Sequence, residues 1–521
     1  MLWTALLSLL LVAGADARLP DGRLHANAPP MPLPPPLAAP SSNGPLRKGL
    51  TGDTLPPLTT IYSFDQLIDH NNPDQGTFVQ RYWADWEFYK PGGPIVLFTP
   101  GEANAEPYTG YLTNRTINGQ IAQQQHGATV VLEHRYFGLS NPFSDLSVES
   151  LRFLTIQQAI DDLEFFTKNV ELPFPGGDAV APGKAPWVLV GGSYSGALTA
   201  FTMVNKPDVF FAGYASSAVV ESIVDFWAYF EPIRLFMAPN CSADVQAVVA
   251  HFDKVLSGSN TTAIAQLKSL FGMSDVVHPD DVSGALRNNL WDWQSLSPDS
   301  DGGEFFVFCD ALEVKNGVSA PASGWGLDHA LNAWGNFFAD TYLPLICGDD
   351  SAEDCLGTYN ASQSFWTDTS LDNAERSWEW FVCNEVGFFQ DGAPEGQPTL
   401  VSRLDQPSSD ERQCQMFFPE AFSTPTVPNV DATNKAYDGW NLHVDRLFIA
   451  NGQRDPWRYA TVSSGFVTVQ STAQQPIAVG DGFHCSDLIT GNGAVDKTVL
   501  AVQNQGLAAI KGWLAEFKPT A

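Results

Sequence analysis

The chain has 521 residues, 44% hydrophobic and 12% aromatic, enough to bury a large core and too apolar for a disordered polymer. Lys and Arg number 27 against 58 Asp and Glu, which gives a net charge of −31 and a pI near 4.4. A surface that acidic repels phosphates and excludes nucleic acid as a partner; it suits an acidic medium, where carboxylate protonation relieves self-repulsion.

The length allows one large enzyme domain with an insertion, or two domains. At the start, Ala5 to Gly14 form a ten-residue apolar run followed by small residues at Ala15 and Ala17. That pattern predicts a secretory signal peptide over 1–17, cleaved after Ala17. No later apolar stretch of ~20 residues offers a membrane span. The expected location is secreted and extracellular, or the lumen of a vacuole or lysosome. Four N-x-Ser/Thr sequons, at Asn114, Asn240, Asn260 and Asn360, agree with export and predict glycosylation. Residues 18–57 hold eleven of the 37 prolines. They favour extended polyproline conformations, cannot bury a core, and read as a linker or propeptide.

From about residue 60 the pattern becomes α/β. Short runs rich in β-branched residues predict buried parallel strands at Ile95–Phe98, Thr129–Leu132, Trp187–Val190, Arg446–Ala450 and Pro476–Val479. Between the second and third, helical spacing of Leu151, Leu154, Ile156, Ile160, Leu163 and Phe166 predicts one helix over Ser150–Val170. Strand–helix–strand order argues for a parallel sheet covered on both faces, assembled from 58–221 and 431–521. Residues 222–430 differ: Trp-bearing helical patterns at Asp225–Leu235, Ala330–Leu345 and Ala374–Cys383 predict a mostly helical insertion. Six of the seven cysteines lie in 241–414, a region stapled by up to three disulfides. Proximity alone suggests Cys347 with Cys355 and Cys383 with Cys414, leaving Cys485 as the odd thiol.

The chemistry concentrates at four places. Trp187-Val-Leu-Val-Gly-Gly-Ser-Tyr-Ser-Gly196 runs from a buried strand through small residues toward a helix, the setting of a nucleophile elbow with Ser193 at its tip. The strict G-x-S-x-G spacing is broken, since Ser195 stands where the last glycine belongs. Centring on Ser195 would need Gly at 193 and 197, where Ser and Ala stand, so Ser193 is the better nucleophile. Asp455, in Asn451-Gly-Gln-Arg-Asp-Pro-Trp457, follows a late strand where an α/β-hydrolase places its orienting acid. His484 lies in the next post-strand loop, completing the order Ser, Asp, His. After the strand at Ile95, Gly101 and Glu102 occupy the position that supplies one oxyanion amide; the other is the N–H of Tyr194. Trp457, two residues beyond Asp455, is the candidate wall of a substrate-binding pocket. Burial and the cation Arg454, adjacent to Asp455, could lower the His484 pKa, while Asp455 pulls the other way, so the sign is not fixed by sequence. The alternative reading of Arg454 is a solvated loop residue. His134 and the Trp-rich stretch 376–383 read as structural. No metal constellation or phosphate loop is visible, and no cofactor or metal is expected.

Gly191–Gly196, Asn451–Trp457 and Glu133-His-Arg-Tyr-Phe-Gly-Leu-Ser-Asn-Pro-Phe143 together resemble the family of prolyl (Pro-X) carboxypeptidase, dipeptidyl peptidase II and fungal acid prolyl endopeptidases. Thr77–Trp83 and Leu151–Thr155 resemble its other blocks, and the likeness covers about 60–515. It implies an α/β-hydrolase fold with a helical, disulfide-bonded cap, cleavage after proline in peptide or protein substrates, and Ser193, Asp455 and His484 as nucleophile, acid and base. Ser195 replaces a Gly of many members, and Cys485 follows the His where some have a second His, which puts carboxypeptidase-type carboxylate recognition in doubt. An esterase or lipase on the same fold is the rival enzyme, and an inactive secreted binding protein the rival class. Exo- or endopeptidase action and the oligomeric state, a homodimer included, stay open.

Overall fold

The computed structural model describes residues 23, 25–40, 46–50, 52–300 and 303–520; the secretory run expected at 1–17 lies outside them. Eight strands form one sheet: β1 (Tyr62–Leu67), β2 (Thr77–Asp85), β3 (Ile95–Phe98), β4 (Ala128–Leu132), β5 (Trp187–Gly192), β6 (Ala212–Ser216), β7 (Leu447–Gly452) and β8 (Ile477–Gly480). Their spatial order is β1-β2-β4-β3-β5-β6-β7-β8. Only β2 runs against its neighbours; every pairing from β4 to β8 is parallel. This is the strand order of the α/β-hydrolase fold.

The central strands are continuous apolar runs because both faces are covered. Ile95 and Leu97 of β3 enter one core with Trp187 and Leu189, while Val96 and Phe98 enter the other with Val188 and Val190. The five anticipated strands agree with the structure to within two residues. The sheet is mixed rather than wholly parallel because β2 runs antiparallel to both neighbours, and β1, β2 and β6 join the five anticipated strands. β1 alternates exposure at an edge, and Ala-Gly-Tyr-Ala-Ser of β6 lacks the bulk that marks a strand. The helix anticipated at 150–170 is two, Val148–Leu151 and Ile156–Asn169. Thr155 breaks it: its hydroxyl accepts the Gln158 N–H and caps the second helix.

Between β6 and β7 the chain is mostly helical from Trp227 to Tyr437, with two small two-stranded pieces. Cys241–Cys309, Cys347–Cys355 and Cys383–Cys414 are bonded there, and Cys485 is free and buried. Each Trp-bearing pattern is shorter or less regular than its periodicity suggests. Ala330–Leu345 is two α-helices, Leu327–Phe337 and Leu343–Cys347, joined by the π-turn Phe338–Tyr342. Pro344, which has no N–H, opens the second of them. Asp225 ends a short strand that pairs with Gly387–Phe389, and the helix starts only at Phe230. The helix begun at Ala374 widens to a π-turn at Val382.

The proline-rich stretch departs further from expectation. Residues 25–40 contain no helix or strand, as proline demands, yet Ala26 and Ala28 are buried in the larger core. The segment supplies no core of its own; it borrows the cap's. Among the described residues no helix is long and apolar enough to cross a membrane.

Candidate active site

At the C-terminal edge of the sheet, β5 ends in Gly191-Gly192 and the helix Tyr194–Asn205 begins. Ser193 between them holds φ 62° and ψ −126°, a conformation strained for a residue with a Cβ. Its N–H donates to the Ser216 carbonyl at 2.9 Å and its carbonyl accepts the Ala197 N–H, so sheet and helix pin the turn from both sides. Glycine is needed around it: a Cβ on Gly191 would lie 2.0 Å from the Ser195 carbonyl oxygen, and one on Gly196 2.6 Å from that of Ser216. The two serines of the motif part company here. The Ser195 hydroxyl donates to the Thr99 carbonyl and ties the helix to the loop after β3. The Ser193 hydroxyl is buried with no hydrogen-bond partner.

The loops after β7 and β8 are zipped together, Gln453 N–H to Gly480 O and Arg454 N–H to Gly482 O. This brings Asp455 and His484, 29 positions apart, into contact. His484 Nδ1 donates to Asp455 Oδ1 at 2.8 Å, and the Trp457 N–H donates to the same oxygen at 2.9 Å. Asp455 is wholly buried, so its carboxylate can only orient what it touches. His484 Nε2 is buried without a partner, as the Ser193 hydroxyl is. Cys485 reaches the elbow: a Cβ on Gly192 would lie 2.9 Å from its sulfur, and its N–H donates to Ser217 Oγ. Burial alone would lower the His484 pKa; the adjoining Asp455 carboxylate and Cys485 together outweigh it and hold the imidazole well above its ordinary value. Arg454 is not among the groups that shift His484; its guanidinium lies over the Phe483 ring at 5.5 Å.

Gly101, at φ 79°, packs on the elbow: a Cβ there would stand 3.2 Å from the Tyr194 ring and 3.4 Å from the Ser195 nitrogen. The Gly101 N–H has a long bond, 3.3 Å, to Thr99 Oγ1, and Tyr194 opens its helix, where amides lack intrahelical acceptors. Both amides anticipated for an oxyanion therefore border Ser193. The Glu102 carboxyl beside them is fully buried and unpartnered, and burial holds its pKa well above the carboxylate range although His484 pulls it down.

Trp457 is buried against Phe226, Tyr229 and Phe388, with its ring centroid 6.4 Å from that of His484. It is packed beneath its loop and also lines a small cavity, whose other walls include Trp378, Val382 and Phe388 from the cap. The Trp-rich stretch read as cap core thus contributes a cleft wall: Trp378 also meets the Tyr194 ring edge-on at 5.7 Å. Sequence reasoning missed Gln294. Its amide oxygen accepts the Trp457 indole N–H at 2.6 Å and faces the Tyr229 hydroxyl at 3.1 Å, and a lone cap glutamine 163 positions from its partner carries no signal.

Glu133-His134-Arg135 is structural, as expected. Glu133 accepts two bonds from Arg81 and one from Ser140, and Arg135 pairs with Asp162. His134 is buried, with its pKa lowered to about 4, and its Nε2 meets the Tyr194 hydroxyl at 3.1 Å. Of the sequons, Asn114, Asn260 and Asn360 are exposed. Asn240 is a correction: it is buried in the first turn of Pro239–Leu256, its amide directed at Ser319 and Ala320, which leaves no room for a glycan.

The strand order, the elbow after β5 and the late Asp and His loops define an α/β-hydrolase. Its sequence matches the model of the serine carboxypeptidase S28 family over residues 66–285 and 345–505. The chain belongs to that family and is a serine peptidase. A serine protease of Bipolaris victoriae named vicPa is 36% identical over 480 residues, covering 87% of this chain and 89% of that one. A protein of Arthroderma benhamiae named "Probable extracellular serine carboxypeptidase" is 33% identical, over 78% of this chain and 59% of its own. The human lysosomal Pro-X carboxypeptidase is 26% identical over 90% of this chain and 91% of its own. Among solved structures, an acetylester hydrolase from Corynebacterium glutamicum aligns over 87% of this chain and 95% of its own at 10% identity and a TM-score of 0.36.

Proposed function

We propose that the protein is an exported peptidase that cleaves after proline by acyl transfer, with Ser193 as nucleophile, His484 as general base and Asp455 as the group that orients it. The observation carrying this is the pair of orphaned atoms at the sheet edge: Ser193 Oγ and His484 Nε2, both buried and unbonded, the second on an imidazole held by Asp455. Buried polar atoms are normally paired, and an unpaired couple beside a strained turn marks a place kept for reaction. In the proposed cycle the neutral imidazole takes the Ser193 proton and the oxygen attacks the scissile carbonyl. The N–H groups of Tyr194 and of Gly101 or Glu102 hold the oxyanion. The imidazolium then protonates the leaving amine, and water hydrolyses the acyl-enzyme by the same steps.

Proline specificity rests on the aromatic side of the cavity beside Trp457, where Trp378, Phe388 and Trp457 offer flat faces to a pyrrolidine ring, while Glu379, Gln390, Asp410 and Gln413 supply its polar walls. Three disulfides and a relative named as extracellular support export. An active-site organophosphonate is expected to label the wild type at Ser193 and not Ser193→Ala, while the variant, which loses one buried oxygen, folds normally and loses turnover by several orders of magnitude. Near-normal activity of that variant would remove Ser193 from the mechanism. Products from a proline-containing protein and from N- or C-blocked peptides, read by mass spectrometry, separate internal cleavage from terminal trimming.

A further inference from the structure

A peptidase must admit a peptide, yet Ser193 is fully buried and His484 nearly so. The seal includes the chain's own N-terminal segment. Arg23 and Asn27 anchor one end in the cap: the Arg23 guanidinium donates to Asn288 and lies 4.7 Å from the Trp291 ring centre, and the Asn27 amide donates to the carbonyls of Asp281 and Leu356. Pro29 and Pro30 then form one wall of the cavity that Trp457 and Trp378 also line. The Met31 carbonyl accepts from Gln294 at 2.8 Å, the same side chain that holds the Trp457 indole. Pro34 lies on the elbow, 3.1 Å from where a Gly192 Cβ would stand, next to Cys485. The far end is held by the turn after β3: the hydroxyls of Tyr108 and Tyr111 donate to the carbonyls of Pro34 and Pro35 at 3.0 and 2.8 Å, and the Gly110 N–H donates to Leu37 O at 2.7 Å.

We propose that this track is the binding groove for an extended proline-rich peptide, and that residues 25–39 are its built-in occupant, keeping the peptidase latent until they leave. The proposal rests on the reading of Ser193 and Trp457 given above. The contacts are those a peptide ligand needs: side-chain donors for backbone carbonyls, which proline retains, and apolar walls for its rings. No contact in the track asks a proline for the N–H it lacks. A polyproline segment loses little entropy on binding because its backbone is already fixed. Tethering raises its effective concentration to the order of mM, well above an ordinary free substrate.

The test is a chain carrying a site for a sequence-specific protease between Pro40 and Leu46. After cutting, gel filtration and confirmation by mass spectrometry that the N-terminal piece is gone, kcat/KM on a proline-containing peptide and the rate of organophosphonate labelling are expected to rise roughly tenfold or more, since the tether no longer competes. A synthetic peptide of residues 23–40 added back should inhibit competitively. In the uncut chain, Pro34→Asp places a carboxylate on the elbow and should raise labelling, a gain that misfolding cannot imitate. Equal rates before and after removal, no inhibition by the peptide, or no gain in Pro34→Asp would each overturn the proposal and leave the peptidase reading intact. A readout free of catalysis separates the two: fluorescent 23–40 peptide bound to cut Ser193→Ala should be displaced by a proline-containing peptide. Displacement without turnover in the wild type would sink the mechanism and keep the occupancy.

Discussion

The two sides of the cleft handle buried charge in opposite ways. The sheet side holds two buried ion pairs, Arg81 with Glu133 and Arg135 with Asp162, whose carboxyl pKa lies below its ordinary value because Arg135 and His70 overcome burial. On the cap side, carboxyls are buried with too little positive charge. Asp391 has neither oxygen bonded, and Asp405 and Asp410 each have one buried oxygen unpaired. Arg287, the cation among them, spends hydrogen bonds on the carbonyls of Gly284 and Gln390. Burial raises the carboxyls of Asp281 and Asp405 to about 7 and pushes Asp391 and Asp410 up as well. The Arg135–Asp162 pair of the scaffold thus loses stability in acid, whereas the carboxyls buried in the cap lose it as pH rises.

The largest expected effect lies on the scaffold. Asp455→Asn keeps the shape of the side chain but removes the charge and the tautomer it enforces on His484. Turnover should fall by about 10⁴ with little change in stability. A loss under tenfold would show that the cleft does not depend on the His484–Asp455 contact.

The contrast in charge itself is tested by a pair of variants. Asp162→Asn strands Arg135 in the core and should cost about 3–5 kcal/mol at neutral pH. A depressed carboxyl contributes stability above its unfolded pKa and loses it as pH falls, so this cost should shrink in acid. Asp405 has the opposite sign. Its folded pKa near 7 exceeds the ordinary value of ~4, so the folded chain holds the extra proton across that window and stability falls as pH rises through it. Wild-type Tm should therefore be higher near pH 5 than near pH 8. Asp405→Asn, which keeps the acceptor for Ser283, should flatten that slope. Calorimetry across the range checks both; parallel slopes for the two variants would abolish the distinction.

Trp457 joins the two sides, bonded to Asp455 through its backbone and to the cap's Gln294 through its indole. Trp457→Ala should lower kcat/KM for proline at P1 by about 10–200-fold, more than for alanine at P1. An equal loss for both would mean that the loop had collapsed and that the recess is not read by the substrate.

How much of this was legible beforehand follows the same divide. The scaffold announces itself: buried parallel strands are uninterrupted apolar runs, and Gly-Gly-Ser, Asp-Pro and Gly-Phe-His each sit just past one. The turns that carry Ser193, Asp455 and His484 are legible because each is local to a strand end. The cap wall was not, because Gln294 and Trp378 reach the site from distant helices, and proximity across the cleft leaves no periodic trace. Pro29–Pro36 were legible as an extended run, and their extended form is what the structure shows. Their burial depends on a groove made by other residues, which composition cannot reveal. The sequon at Asn240 failed for a similar reason: the motif is three residues long, and its burial is decided by the helix and hairpin around it.

The smallest expected effect concerns the acid limb of activity. The mechanism needs neutral His484, so kcat/KM falls as pH drops through that group's pKa. Asp455 and Cys485 favour the imidazolium and together outweigh burial, which moves the limb upward from the ordinary ~6.5. A pH–rate profile on an uncharged substrate should therefore show an acid limb at or above 6.5; a limb below 5.5 would mean that burial of His484 outweighs the charges around it in the working enzyme. Arg454 is the natural suspect for tuning from sequence, adjoining Asp455, but its guanidinium is committed to the Phe483 face and its field reaches Asp496. Arg454→Gln should leave the limb where it is, within the scatter of the measurement. Glu102, by contrast, is held neutral beside His484. Glu102→Gln mimics that neutral form and should leave the acid side unchanged, while at high pH it should remove any second rise in the His484 pKa caused by ionised Glu102. A shift of the limb in Arg454→Gln, or an acid-side loss in Glu102→Gln, would place a charge in the cleft that the present arrangement does not require.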